Sequence, residues 1–339
     1  MQCMVIRSCW LALLAGLPCY SVVAQSPHRL SDIPAAVAAI AGEGQLATFA
    51  QGDHLLPPGG HLQGIQWLPD AVHQRQLAFL SHDSNSVAYF LVVAIGAKTA
   101  AGEPDDNCIL HVHRLPSDGQ QPPLRHAGGI QLVGDVLVVG VEDNQEKKRS
   151  QVQFWNVANP SEPHQLSHLT IERHSEQPKE MTAGAVGLVE RENDHLLAVA
   201  NWDSRALDFY VTNGKPLADS LCRFSLKTRW QAGAVSKSGW QPDSSFGTYQ
   251  AINLLADTQQ RVYLLGFDTT PAGEDIVDLF RVELDQPPAI LRKLAGRQMR
   301  LVGDNHFRFA AGTSVQGGRL LILSSERNVA PRTRLNSVR

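Results

Sequence analysis

Two histidines and five acids recur at matching places along the chain. The hexads His61-Leu62-Gln63-Gly64-Ile65-Gln66 and His126-Ala127-Gly128-Gly129-Ile130-Gln131 share the pattern H-x-x-G-I-Q. Each is followed by a short apolar run that ends near an acid: Leu77-Ala78-Phe79-Leu80 before Asp83, and Val136-Leu137-Val138-Val139 before Glu142. The run and its acid continue without the histidine, in Leu196-Leu197-Ala198-Val199 before Asp203, Val262-Tyr263-Leu264-Leu265 before Asp268, and Leu320-Leu321-Ile322-Leu323 before Glu326. Imidazoles and carboxylates gathered at one concavity can bind a polar ligand, relay protons or hold a cation.

Several chemistries can be weighed against this pattern. Two carboxylates about 5 to 9 Å apart can hydrolyse a glycosidic bond. Such a pair needs distinct environments to separate its acid from its base, whereas these acids occupy one repeated position. His61, His126 and the acids could hold Ca²⁺ through oxygens or another divalent metal through imidazoles. Neither an H-E-x-x-H helix nor an EF-hand loop is present, so no resident cofactor is expected. Ser81-His82-Asp83 has the residue types of a hydrolytic triad, but neighbours on a strand point to opposite faces. An acid after a strand also has a plain use, ending the strand by accepting hydrogen bonds from turn amides.

The elements that must carry these residues repeat as well. An aromatic or apolar strand begins 23 residues after Gly64 at Val87, 23 after Gly129 at Val152, and 23 after Gly184 at Leu207. A fourth copy has Ala251 in place of the glycine and leads to Val277-Asp278-Leu279-Phe280, and a fifth starts at Gly312. The segments are short, rich in Val, Leu, Ile and aromatics, and bounded by Gly, Asp, Asn and Pro, which is the signature of strands. One helix is expected near Ser31 to Ile40, with Ser31 or Asp32 as cap and Pro34 in the first turn.

Strand-rich units of about 55 to 67 residues suit an all-β fold, a β-propeller of five blades. The last unit has little chain left, so an N-terminal strand near Gln45 to Ala50 is expected to complete it and cover two bare edges. With the glycine strand innermost and the apolar run antiparallel beside it, His61 should meet Asp83 and His126 should meet Glu142. Asp203, Asp268 and Glu326 should continue around the same mouth of the channel. Gly64, Gly129, Gly184 and Gly312 should permit close backbone approach. Phe90, Trp155, Tyr210 and Phe280 should fill the space between units.

The remaining sequence bounds compartment and partners. Arg7, the apolar stretch from Trp10 to Leu17, and Val22-Val23-Ala24 read as a signal peptide over residues 1–24, leaving a single domain over 25–339. The stretch is too short to span a bilayer, so a periplasmic or secreted protein is expected. Cys3, Cys9 and Cys19 would leave with it, and Cys108 and Cys222 could pair or stay free. A formal net charge of -3 without a basic stripe argues against nucleic acid as a partner. The run Glu146-Lys147-Lys148-Arg149 reads as a solvated hairpin tip.

The strand Leu137-Val138-Val139-Gly140-Val141-Glu142 resembles the repeat of bacterial exported β-propeller proteins of the LVIVD type. That resemblance implies a binding or surface protein. The expectation is thus an exported propeller that takes a small molecule, a glycan or a protein at a mouth lined by acids and histidines. The alternative is a secreted hydrolase, glycosidase- or lactonase-like, using Glu142 or Asp203 with His126.

Overall fold

In a computed structural model of the chain, residues 29–41, 43–96, 107–232, 246–284 and 290–339 are described. The expected signal segment lies outside them. Ile33–Ala39 is α-helical, with the Asp32 carboxylate accepting from the Ala35 amide at 2.8 Å and proline in the first turn. No helix among the described residues is long and apolar enough to cross a membrane.

Everything else of regular length is strand, paired as up-and-down antiparallel runs. The first run is Leu62–Asp70, Arg75–His82, Tyr89–Gly96 and Ile109–Arg114. The second is His126–Val133, Val136–Glu142, Arg149–Asn156 and Ile171–His174, and the third Ala185–Glu190, His195–Ala200, Ala206–Thr212 and Phe224–Gln231. The fourth is Ala251–Ala256, Val262–Thr269, Asp275–Glu283 and Ile290–Met299. The fifth, His306–Gln316, Arg319–Ser325 and Arg332–Val338, takes its outer strand from the other end of the chain: Gln45–Ala50 pairs antiparallel with it, Gln45 opposite Ser337 and Ala50 opposite Arg332. The edge of Arg332–Val338 is thereby covered. The fifth and first runs share one sheet through a single parallel bridge, Ala311 to Gly64.

Both faces of each run are apolar because each packs against a neighbour on either side. Phe79, Phe90 and Val92 of the first run share a core with Ile130, Leu137 and Trp155 of the second. The same kind of core joins second to third around Phe154 and Tyr210, third to fourth around Phe209 and Phe280, and fourth to fifth around Phe267 and Phe307. A further core joins the fifth run back to the first, with Leu321, Leu323 and Leu335 against Leu62, Ile65 and Tyr89. The aromatic row Phe90, Trp155, Tyr210 and Phe280 is buried in these cores, Phe90 meeting Trp155 edge-on at 6.0 Å.

The crowding expected of the repeated glycines holds at some positions and fails at one. A Cβ on Gly312 would lie 1.9 Å from the Ile65 carbonyl oxygen, one on Gly64 2.7 Å from the Ile130 nitrogen, and one on Gly129 3.2 Å from the Ala251 Cα. Gly184 is different: a Cβ there would meet nothing closer than 3.8 Å, and the close contact in the third run is made by Gly187, 3.1 Å from the Leu254 nitrogen. The crowded glycine of the third run thus lies three residues beyond the one that the 23-residue interval marks, inside the strand Ala185–Glu190. Cys108 and Cys222 are both free, the Cys222 thiol donating to the Lys215 carbonyl at 3.3 Å.

Candidate functional site

At the centre, the axis is closed by amides. The Gln131 side-chain oxygen accepts from the backbone N–H of Leu188 at 2.9 Å and of Leu254 at 2.8 Å, and its nitrogen donates to the Leu254 carbonyl at 2.6 Å. Gln66 donates to the Asn253 side-chain oxygen at 3.1 Å, and Thr313 donates to the same oxygen at 3.0 Å. These buried groups satisfy one another and backbone amides, as buried polar groups must. They divide the axis into two mouths.

The mouth at the start of the innermost strands is a cavity of about 450 Å³ that includes His61, His126, Glu142, Asp203 and Asp268 in its lining. Antiparallel pairing sets His126 directly opposite Glu142, its Nδ1 3.3 Å from Oε1. The other Glu142 oxygen accepts from the Ala183 amide at 2.8 Å, so this fully buried carboxylate is fixed between two runs. The Gln63 amide nitrogen lies 3.2 Å from His61 Nε2 and 3.0 Å from His126 Nε2. His61 Nδ1 donates to the Leu62 carbonyl at 2.8 Å, which leaves Nε2 as the acceptor. A half-turn of the Gln63 amide would present its oxygen instead, the partner a protonated Nε2 needs.

The two imidazoles are tuned apart. Burial opposes protonation of both. For His61 it prevails and lowers the pKa, whereas for His126 the hydrogen bond and charge of Glu142, with Asp83 behind, raise the pKa above the ordinary imidazole value. Such divergence within one cavity suits groups that exchange protons with a ligand.

Asp268 is oriented by Thr248, whose backbone N–H approaches at 3.3 Å and whose hydroxyl donates at 3.2 Å. Asp203 is half-exposed in a turn just past the strand His195–Ala200, 3.9 Å from the Lys179 amine. Its φ of 59° and the 53° of the following Ser204 are left-handed, as are Lys147 at 59° and Lys179 at 71°. Such backbone costs about 1 kcal/mol per residue. All four residues surround Trp202, whose backbone N–H donates to Thr182 Oγ1 at 2.6 Å. The Lys147 amine sits 3.7 Å from the ring centre and that of Lys179 5.9 Å. Lys147 therefore belongs to the rim of the mouth. Arg149, from the same expected hairpin tip, is partly buried and paired with Asp118.

Two of the sequence candidates lie outside the cavity. Asp83 sits behind it, its carboxylate accepting from the His61 backbone N–H at 2.5 Å. Glu326 turns away, because Arg334 on the adjacent strand holds it through the backbone N–H at 2.9 Å and the guanidinium Nε at 2.5 Å. Arg327 takes its place in the lining. Ser81, His82 and Asp83 do not form a triad: Ser81 donates to the Gly128 carbonyl at 2.6 Å and His82 stacks on Tyr89 at 4.7 Å. No set of three or more His, Cys, Asp or Glu side chains among the described residues is placed to hold a metal ion.

The sequence pattern missed Trp202, Phe309, Arg308 and Arg327, all in the cavity wall. Trp202 is 6.2 Å from the His126 ring, and Phe309 is 6.2 Å from the His61 ring. Adjacency to a repeated acid was the signal available for Trp202 and Arg327. Phe309 and Arg308 precede the fifth anchor by a few residues and had none.

Neither a protein-family model nor a curated protein matches the chain. Solved structures do. The chain is similar to the catalytic domain of a GH62 α-L-arabinofuranosidase from Coprinopsis cinerea, with 10% identity, 92% of this chain and 98% of that one covered, and a TM-score of 0.50. The α-L-arabinofuranosidase of Podospora anserina matches at 8% identity over 87% and 95% of the two chains, TM-score 0.49. An α-L-arabinanase from Penicillium chrysogenum matches at 10% over 87% and 97%, TM-score 0.49. At these identities the likeness concerns the fold alone: the chain is all-β and resembles β-propeller glycosidases in its fold.

Proposed function

We propose that the chain is a five-bladed propeller that binds a saccharide in the mouth lined by His61 and His126. The apolar cores support the blade count, since each lies between consecutive runs and the last joins the fifth run to the first. The observation that carries the function is a single cavity in which Asp203 and Asp268 share the lining with the aromatic residues Trp202, Tyr249 and Phe309, of which Tyr249 is buried. Aromatic faces take the apolar face of a pyranose or furanose ring, and carboxylates take its hydroxyls. The signal-like segment before Gln25 supports an exported location.

A second reading, hydrolysis of a glycosidic bond, is favoured by the carboxylates together with the likeness to a glycosidase fold. Asp203 and Asp268 are the cavity carboxylates with solvent access, and they form the acid and base pair on this reading. Glu142, sealed beneath His126, positions the imidazole. A panel of neutral and acidic oligosaccharides tests both readings by calorimetry and reducing-sugar release. Binding with turnover that falls about 10² to 10⁴-fold in Asp203→Asn and Asp268→Asn supports hydrolysis. Binding without turnover leaves a lectin-like protein, and the absence of any binding overturns the saccharide site.

A further inference from the structure

Two cations in this mouth have no carboxylate partner among the described residues. Several guanidinium groups elsewhere in the fold are held by the protein's carboxylates, as with Arg75 and Asp70, Arg173 and Asp208, Arg229 and Asp208, or Arg261 and Asp257, while others stand exposed on outer surfaces. Arg308 and Arg327 line the cavity, are exposed, and make no ion pair or side-chain hydrogen bond with any described residue. Their backbones are nonetheless fixed. The Arg308 N–H donates to Thr269 Oγ1 at 2.9 Å, and that hydroxyl donates in turn to Asp275 at 2.7 Å. The Arg327 carbonyl accepts from the Leu62 N–H at 2.9 Å, which ties it beside His61. Its guanidinium carbon stands 5.9 Å from the centre of the Phe309 ring.

We propose that this pair selects a saccharide bearing a carboxylate, a uronic acid unit whose ring lies on Phe309 while its carboxylate meets Arg308 and Arg327. This rests on the saccharide reading above. A guanidinium matches a carboxylate with two parallel hydrogen bonds, and an anchored backbone lowers the cost of ordering the side chain. The solvent-accessible acids of the same cavity, Asp203 and Asp268, accept sugar hydroxyls, and with Glu142 beneath His126 they oppose a dianion such as phosphate. A monoanionic sugar satisfies both halves of the wall. A neutral sugar offers neither guanidinium a carboxylate.

The test compares an oligouronide with its carboxyl-reduced, neutral counterpart by calorimetry on the full chain, with inorganic phosphate and sulfate as competitors. The acidic form should bind roughly tenfold more tightly, with an advantage that shrinks as salt rises. In the double variant Arg308→Gln, Arg327→Gln the ratio of the two affinities should fall to about one, with thermal melting confirming the fold. Equal affinity for the two forms, or a preference that survives the double variant, overturns the proposal while leaving the saccharide site intact. Displacement by phosphate as readily as by the oligouronide also overturns it, since the pair would then be a general anion site. If neither form binds but neutral arabino- or xylo-oligosaccharides do, selection of a uronate is wrong. If no saccharide of any kind binds, the saccharide reading itself has failed.

Discussion

The two mouths of the axis are built from the two ends of the same innermost strands, yet they differ in kind. One is a cavity of about 450 Å³ carrying imidazoles, carboxylates, guanidiniums and three aromatic residues. The other, about 190 Å³, is walled mainly by apolar residues such as Leu132, Val133, Leu188, Leu254 and Val315, with Trp67 as its aromatic residue and Arg29 and Glu190 as its charged ones. The difference follows from strand direction. The first strand of each run enters from a loop at the wide mouth and leaves through a tight hairpin at the narrow one. Loops at the wide end, such as the segment from Asn201 to Arg205, are free to carry strained, chemistry-bearing residues. The hairpin ends carry the apolar continuation of the strands.

The sharpest way to break this comparison is to remove the division between the mouths. Gln131→Ala would leave the Leu188 and Leu254 amides and the Leu254 carbonyl without their partner in a closed axis. A loss of about 4 kcal/mol is expected, read from urea denaturation. A loss below about 1 kcal/mol would mean that the cores between runs, and not the amide cluster, hold the axis.

A second contrast is that histidine occurs in the lining of the wide mouth and not in that of the narrow one. Behind the wide mouth, burial pushes His82 from 6.5 down to about 4, so its protonation favours the unfolded chain. With the folded pKa below the unfolded one, stability rises with pH across the window from about 4 to 6.5, by about 3 kcal/mol from this residue. His126 acts in the opposite sense. Its folded pKa is raised, so its contribution is whole below 6.5 and is lost as pH rises through the folded value. Denaturation midpoints measured across this range should rise on the acid side, and His82→Gln should flatten that limb. An unchanged limb would place the acid sensitivity elsewhere.

Smaller effects distinguish the mouths as ligand sites. Trp202→Ala should weaken saccharide binding by about 2 kcal/mol in calorimetry while Leu255→Ala, at the narrow mouth, leaves it unchanged. The reverse ranking would exchange their roles. Gly184→Ala should cost under about 1 kcal/mol of stability, because its Cβ has space, yet the added methyl enters the lining of the wide mouth and should reduce affinity.

Most of the architecture was legible because the repeat is written in apolar runs and intervals, and burial on both faces demands such runs. The pairing of His126 with Glu142 was legible for the same reason: antiparallel register follows from the hairpin between them. Glu326 was not, because its fate depends on Arg334 on the adjacent strand, a side chain that lies outside the repeated run and its acid. Nor was the role of Trp202. A single tryptophan beside an acid carries no period, and its exposure to the cavity is set by left-handed backbone at Asp203 and Ser204 that the residue types do not announce. Lys147 escaped similarly, since a polar hairpin tip and a cation lying over an aromatic ring have the same composition.

The central claim is that the wide mouth is the saccharide site. A crystal structure grown with an oligosaccharide tests it most directly. A sugar ring against Trp202 or Phe309, with hydroxyls within hydrogen-bonding distance of Asp203 or Asp268, is the expected result. A sugar seated in the narrow mouth beside Leu254 and Val315, or on an outer strand away from both, would contradict it.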